Sequence, residues 1–340
     1  IMGAHNMNIL CCAYAYVAEN KKYDIVKVSG GSDRKLCVFD PNGKLLNSHI
    51  FAAPIISICA LPTLKYLLIG TMCGSVFCTL LKEVDAGVEV DICDQPDIKK
   101  HSLNITCIRT SQCHKWLAVS SRDRTVHVYR LATKPPNFKL ERTLNCADCP
   151  ESIEFVSNVF GSTCLVVSIL GNNYLQYFAV ENTFSPFASD TPEKKMILEV
   201  GKIVHVNMNA SDDDVVSFNV LDMAAAPMKL PLLAVATDKN RHIIFQTGTT
   251  EQVRNLYGHT ATEYSRPKLV WHPTGKYILS TSDRPYGICI WSVCSGLLVS
   301  RLIGHSASIR GLAVNSANLE ILSCSFDKTL RLWKLEDEHE

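Results

Sequence analysis

The residues that come nearest to a catalytic set are His305, Ser323, Ser325 and Asp327, which put an imidazole, two hydroxyls and a carboxylate close together near the end of the chain. Such a trio reads as a nucleophile, its base and the group that orients the base. Acyl transfer asks for more than the trio: an exposed hydroxyl, donors for the oxyanion, and one place unlike the rest of the chain. None of these is legible, and the frame that carries the trio recurs along the sequence. No catalytic residue is expected, and the chain is not expected to be an enzyme.

Fifteen cysteines raise the question of metal. Cys146-x-x-Cys149 is the one CxxC pair, Cys11 and Cys12 are adjacent, and Cys113-His114 follows Cys107 by six residues. A structural zinc site needs four converging ligands, usually two such pairs. One pair beside Asp148 and Pro150 reads instead as two unrelated thiols, and most of the other cysteines as core filling. Neither GxxxxGK[ST] nor GxGxxG occurs, and Gly30-Gly31 leads into a hairpin turn rather than a helix. No metal, cofactor or small-molecule substrate is therefore expected.

A different chemistry is offered by cations beside turn acids: Arg34, Arg122, Arg124, Lys239, Arg241, Arg284 and Lys328. Brought to one face, they would form a positive ring able to seat an acidic peptide or phosphate groups. The alternative is a solvated surface on which each cation pairs with its neighbouring acid, contributing about 0 to 1 kcal/mol. Tyr264 and Tyr286 lie in turns, and tyrosine and arginine are favoured at interface hot spots. A base-stacking surface would interleave aromatics with Lys and Arg. Arg284 to Gly287 is the one compact instance, so protein or peptide partners are expected ahead of nucleic acid.

The elements that must position these residues emerge from self-comparison. In SCSFDKTLRLW, Asp327 stands six residues before Trp333. The same offset links Asp33 to Phe39, Asp123 to Tyr129 and Asn172 to Phe178. Cys73 replaces the acid in TMCGSVFCT, while Asp238 and Asp283 keep it in frames longer by one and two residues, the latter ending at Trp291. Successive turn positions are 40, 50, 49, 66, 45 and 44 residues apart. That is close to the period of about 40 to 45 expected of four-stranded blades. Each unit has two apolar faces that it cannot bury alone, and a closed ring covers them without polar end caps. The reading is all-β: a seven-bladed β-propeller of four-stranded antiparallel blades filling residues 1–340 as one unit. Its blades run roughly 5–50, 51–82, 101–145, 150–200, 214–256, 257–302 and 303–340. LWKLEDEHE ends just after a third strand and only IMGAHN precedes the first blade, so the closing strand is expected to be short, missing or supplied from upstream.

Gly258-His259 and Gly304-His305, followed by strands ending in SDRPYGICIW and FDKTLRLW, resemble the two signature ends of WD repeats, and Phe39-Asp40 resembles their terminal dipeptide. The resemblance spans nearly the whole chain. It implies that His259, Asp283 and Trp291, and likewise His305, Asp327 and Trp333, belong to buried hydrogen-bond networks with a structural role. It also implies work as an interaction scaffold. Two specialised readings are disfavoured: the WDxR ending of ubiquitin-ligase substrate receptors is replaced by WSVC, WKLE, YRLA and FDPN, and no Arg-Arg pair of the phosphoinositide-binding kind occurs.

Bulk properties agree. A chain of 340 residues that is 47% hydrophobic can bury a large core, and a net charge of +1 neither demands nor excludes a polyanionic partner. Scattered cysteines, odd in number and mostly within apolar runs, point to a reducing compartment, cytoplasmic or nuclear. The N-terminal residues lack a basic stretch before an apolar one, so no signal peptide is read there. The greasiest window, Phe51 to Gly70, is broken by Pro54, Pro62 and Lys65 and is too interrupted to span a membrane. A start at Ile1 suggests a piece of a longer protein or the removal of a leading segment. Long connections fall at ENTFSPFASDTPEKK, at NASDDDVV and between Glu83 and Asn104; loops of this length are usually functional. The expected function is a non-enzymatic scaffold joining proteins within a larger intracellular complex, with phosphopeptide or nucleic-acid recognition through the basic ring as the alternative.

Overall fold

The computed structural model describes the chain except residues 1, 18–21, 63, 86, 94–97, 134–135, 183–198, 210–215, 229, 263 and 335–340. Most of ENTFSPFASDTPEKK and NASDDDVV, and the middle of the Glu83 to Asn104 stretch, lie outside the described residues.

Seven antiparallel sheets form in chain order, and in each of the first six the strand sequence runs straight from the inner to the outer edge. The innermost strands are β1 (Ile9–Tyr16), β5 (Ile55–Leu61), β9 (Ile105–Thr110), β13 (Pro150–Val159), β17 (Val220–Ala225), β21 (Leu269–Trp271) and β25 (Ile309–Val314). Each touches the next, and β25 touches β1, so the ring is closed: the protein is a seven-bladed β-propeller. Second strands such as β6 (Tyr66–Thr71), β10 (Trp116–Ser121) and β18 (Leu232–Thr237) are buried almost throughout, because neighbouring blades cover both of their faces. That explains their unbroken apolar runs. Outer strands such as β4 (Leu45–Ile50) and β24 (Leu298–Ile303) mix polar and apolar residues and stay largely exposed.

Two blades extend past the limits read from sequence. The second ends with β8 (Gly87–Ile92) rather than at residue 82, because the acidic segment after Val84 returns as an outer strand paired with β7 (Val76–Val84). The fourth ends with β16 (Ile203–Asn207) rather than at residue 200, its outer strand arriving only after the insertion.

The seventh sheet holds three strands, β25, β26 (Ile321–Ser325) and β27 (Leu330–Trp333). Its outer edge is met by one residue from the other end of the chain. Met2 and Leu330 exchange both backbone hydrogen bonds, at 2.8 and 2.9 Å. The Met2 side chain is buried with Ile9, Phe39 and Leu322 in the apolar cluster between the first and last blades. Among the described residues, this single bridge is what meets the outer edge of the seventh sheet.

Candidate interaction surface

The turn joining each blade's second and third strands meets the segment that leads into a first strand, and all these turns share one face, here the upper face. Asp33 accepts from the Asn6 amide at 3.0 Å, Asp123 from Ser102 at 2.9 Å, and Asp327 from Ser306 at 3.1 Å. The same acids accept from the amide two residues on, at Lys35, Thr125 and Thr329. This local bonding holds Arg34, Arg124 and Lys328 in the left-handed region, at φ of 66°, 66° and 65°. That conformation costs an L-residue about 1 to 2 kcal/mol and is sustained by the acid beside it.

In the last blade the His, Ser, Asp and Trp residues join. His305 Nδ1 lies 2.7 Å from Asp327 and its Nε2 lies 2.8 Å from Ser323 Oγ, to which Trp333 Nε1 donates at 2.9 Å. His305 and Ser323 are buried, so the trio has no exposed nucleophile. Two further blades bring a histidine to the turn acid: His5 lies 2.8 Å from both Asp33 and Ser29, whereas His101 lies 3.0 Å from Asp123 and its Nε2 has no partner among the described residues. The signal was there, since each is a lone histidine 22 to 28 residues before its turn acid.

The sixth blade departs from the pattern. Asp283 accepts from Thr262 at 3.2 Å, from Ser308 at 2.6 Å and from Ser265, and does not meet His259. His259 Nε2 faces the Lys239 carbonyl at 3.1 Å, and Trp291 Nε1 donates to Tyr257 O at 2.7 Å. The cause is register. Trp291 pairs with Ile278 as Trp333 pairs with Ile321, which puts Ser280 where Ser323 stands but brings the acid one position early. Ser280 Oγ has no partner among the described residues.

The basic turn residues divide. Arg124 sits 3.5 Å from Asp148 and Lys239 3.4 Å from Asp238, all largely exposed except Asp238, and such pairs contribute about 0 to 1 kcal/mol. Arg241 packs over the Phe218 ring at 5.6 Å, and Arg34 and Lys328 project from their turns. Arg284 and Tyr286 line an upper-face cleft of about 430 Å³ with Tyr264, Thr262 and Ser308. Only Arg122 reaches the mouth of the central channel, a cavity of about 160 Å³. The mouth's other cations, Arg266, Lys268 and Arg310, stand at the start of inner strands and not in the hairpin turns, so the turn frame misses them.

Below the mouth, a polar belt crosses four blades. Arg109 lies 3.5 Å from Glu154 and 3.6 Å from Asp222, which also receives Ser152 at 3.2 Å, the Leu269 amide at 3.1 Å and Lys268 at 3.8 Å. Burial raises the Glu154 carboxyl to about 7 although Arg109 opposes the shift. A charge within the otherwise apolar inner strands of these blades, as in ITCIRT and VLDMAA, is the readable sign. The channel then opens into a chamber of about 550 Å³ lined by Ile58, Met223, Trp271 and Leu312 together with Arg109 and Glu154.

The "WD domain, G-beta repeat" family model matches residues 95–130 and 296–334, which fall in the third and in the sixth and seventh of the ring's seven sheets. The chain is a WD-repeat β-propeller. The propeller is similar to that in a crystal structure of the WD40 domain of Doa1, at a TM-score of 0.68 and 14% identity over 99% of this chain and 95% of that one. Among curated relatives, the human transducin beta-like protein 2 is 24% identical over 71% of this propeller's chain and 51% of its own length. The periodic tryptophan protein 2 homolog of Schizosaccharomyces pombe is 35% identical over 18% of this chain and 7% of its own. The chain therefore spans about half the length of the first relative and a small part of the second. WD-repeat propellers generally serve as interaction scaffolds without catalysis. Among the described residues of this one, no helix is long and apolar enough to cross a membrane.

Proposed function

We propose that this propeller is a non-enzymatic scaffold that binds peptides or domains of other proteins within a larger complex of the cytoplasm or nucleus, and that its upper face is the main docking surface. The observation that carries the reading is the cleft where Tyr264, 88% exposed, stands beside Tyr286 and Arg284. These are the side chains favoured at interface hot spots, held here at one place by a rigid blade junction. A closed ring does not have to order itself on binding, so more of the contact energy appears as affinity. Affinity capture from cell extract, comparing wild type with a Tyr264→Ala/Arg284→Glu variant, tests it. Stable protein partners that the variant loses support the reading, and a wild type that retains none overturns it.

A further inference from the structure

Two thiols meet across the seam where the ring closes, Cys12 in β1 of the first blade and Cys324 in β26 of the seventh. Successive residues of a strand point to opposite faces, and the adjacent cysteines of β1 divide accordingly. Cys11 Sγ turns to the second blade and donates to Ile55 O at 3.9 Å, whereas Cys12 Sγ turns to the seventh and donates to Leu322 O at 3.8 Å. There the thiols of Cys12 and Cys324 are hydrogen-bonded to each other. Gly311 in β25 makes the room for this. It pairs with Cys324, and a Cβ on it would stand 2.6 Å from the Cys324 sulfur and 3.1 Å from that of Cys12. Both cysteines belong to the apolar cluster that also holds Met2. Access to the two differs. Cys12 is 9% exposed and lines the chamber below the polar belt, while Cys324 is fully buried behind it. Burial, and then its bond to Cys12, pushes the Cys324 thiol well above the usual thiol range. Such a thiol is suited to answer an oxidised neighbour rather than to meet an oxidant first.

We propose that Cys12 and Cys324 are the two halves of a reversible disulfide latch between the first and last blades, formed by peroxide that reaches Cys12 through the chamber. The Cys12 sulfur takes one oxygen from hydrogen peroxide, becoming a sulfenic acid and releasing water. The Cys324 sulfur then displaces the sulfenic hydroxyl, which leaves with the Cys324 proton as a second water. Two thiols and one peroxide thus give one disulfide and two waters, each sulfur losing one electron to the peroxide. A small dithiol reverses the step by exchange and ends as a disulfide itself. Under reducing conditions the resting form is the dithiol, so the latch is drawn only under oxidant load. The bond joins residues near the two ends of the chain, which constrains the unfolded chain and fastens the blade whose outer edge is met by one bridge. The latch goes beyond the scaffold reading and does not depend on it.

The test exposes the chain to hydrogen peroxide, caps the remaining thiols with iodoacetamide and digests without reduction. Copies cross-linked through the exposed Cys73, Cys113 or Cys294 are first removed by size exclusion. Mass spectrometry should find the Cys12 peptide joined to the Cys324 peptide, the link building over minutes to hours, and dithiothreitol should part them. Calorimetry of the same sample should show a melting temperature raised by about 5 °C or more over the reduced chain, and reduction should return it. Cys11→Ala, which leaves the facing pair intact, should give both results. Cys324→Ala should give neither. Melting of the reduced variants identifies any that fails to fold, and the peptide map of the wild type stands without them. Cys12 left as a free thiol, Cys12 oxidised past the sulfenic acid with no link, or Cys12 joined to any cysteine other than Cys324 overturns the latch. So does a Cys12–Cys324 link that leaves the melting temperature unchanged.

Discussion

His259 lies face to face on His242, ring centroids 3.7 Å apart and planes within 18°. The first leads into the sixth blade and the second belongs to the fifth, in β19 (Arg241–Gln246), so the stack joins neighbouring blades where a histidine–aspartate bond would have stayed within one. Trp291 presents its edge to both rings at 5.8 Å. His101 and His127 repeat the stack in the third blade, at 4.0 Å and 20°.

These rings must stay neutral. Burial lowers His127 and His259 to about 4 and His242 well below its ordinary value. A histidine depressed on folding contributes stability that is complete above its unfolded value near 6.5 and is lost as the pH falls toward the folded value. Glu154, raised to about 7, acts with the opposite sign over the same range, but as one group against several. The melting temperature, followed by scanning calorimetry, should hold near neutrality and fall between pH 6.5 and 4. His242→Phe, which keeps an aromatic ring on His259 and removes a titrating group, should give a shallower fall. Parallel profiles for the two proteins would refute the account.

Ser323 serves two donors and acceptors at once, bonding His305 and Trp333. Ser323→Ala leaves both buried groups short of a partner and should cost about 2 to 3 kcal/mol in urea unfolding. Ser280→Ala, at the matching position of the sixth blade but without a bonded partner, should change stability by less than about 1 kcal/mol.

Gly74 takes φ of +80° where the second blade's turn abuts the third blade, and a Cβ there would stand 2.2 Å from the His101 carbonyl oxygen and 2.6 Å from that of Leu103. Backbone on both sides leaves nothing flexible to give way. Gly74→Ala should lower stability by at least about 3 kcal/mol, whereas Gly171→Ala, at φ +71° in open space, should show only the left-handed cost of about 1 to 2 kcal/mol.

Closure depends on Met2, which is 5% exposed. Met2→Ala should cost about 2 to 4 kcal/mol, as for other buried methionines. Removing residues 1–4 should also speed hydrogen exchange at the Leu330 amide, which donates to Met2 O, while leaving the Leu67 amide in the second blade protected. Unchanged exchange at Leu330 would show that the bridge does not hold the ring.

The blades were legible because two signals coincide: an acid six residues before an aromatic fixes three of the hairpins, with looser copies of that frame marking the others, and unbroken apolar runs mark the strands covered on both sides. Asp327 to Trp333 carries both, and its network appears in full. What resisted reading depends on distance along the chain. His5 and His101 meet their acids through loops that no short frame connects. Asp283 looks like Asp327 in type and setting, but an offset of one position hands it to three hydroxyls. Arg310 and Arg266 converge with Arg122 only because the ring brings the third, sixth and seventh blades to one axis, and nothing in the local spacing of these residues says so.

A last blade whose outer edge is fastened by one residue pair has a mechanical weak point. In an antiparallel bridge the chain enters Met2 and leaves Leu330 on the same side. Tension between the two ends of the chain therefore peels the pair one hydrogen bond at a time instead of loading both in shear. Every other blade is held at its outer edge by a ladder of several paired residues, so the seventh yields first. The wheel is stiff toward whatever rests on its face and opens like a clasp when its two ends are pulled.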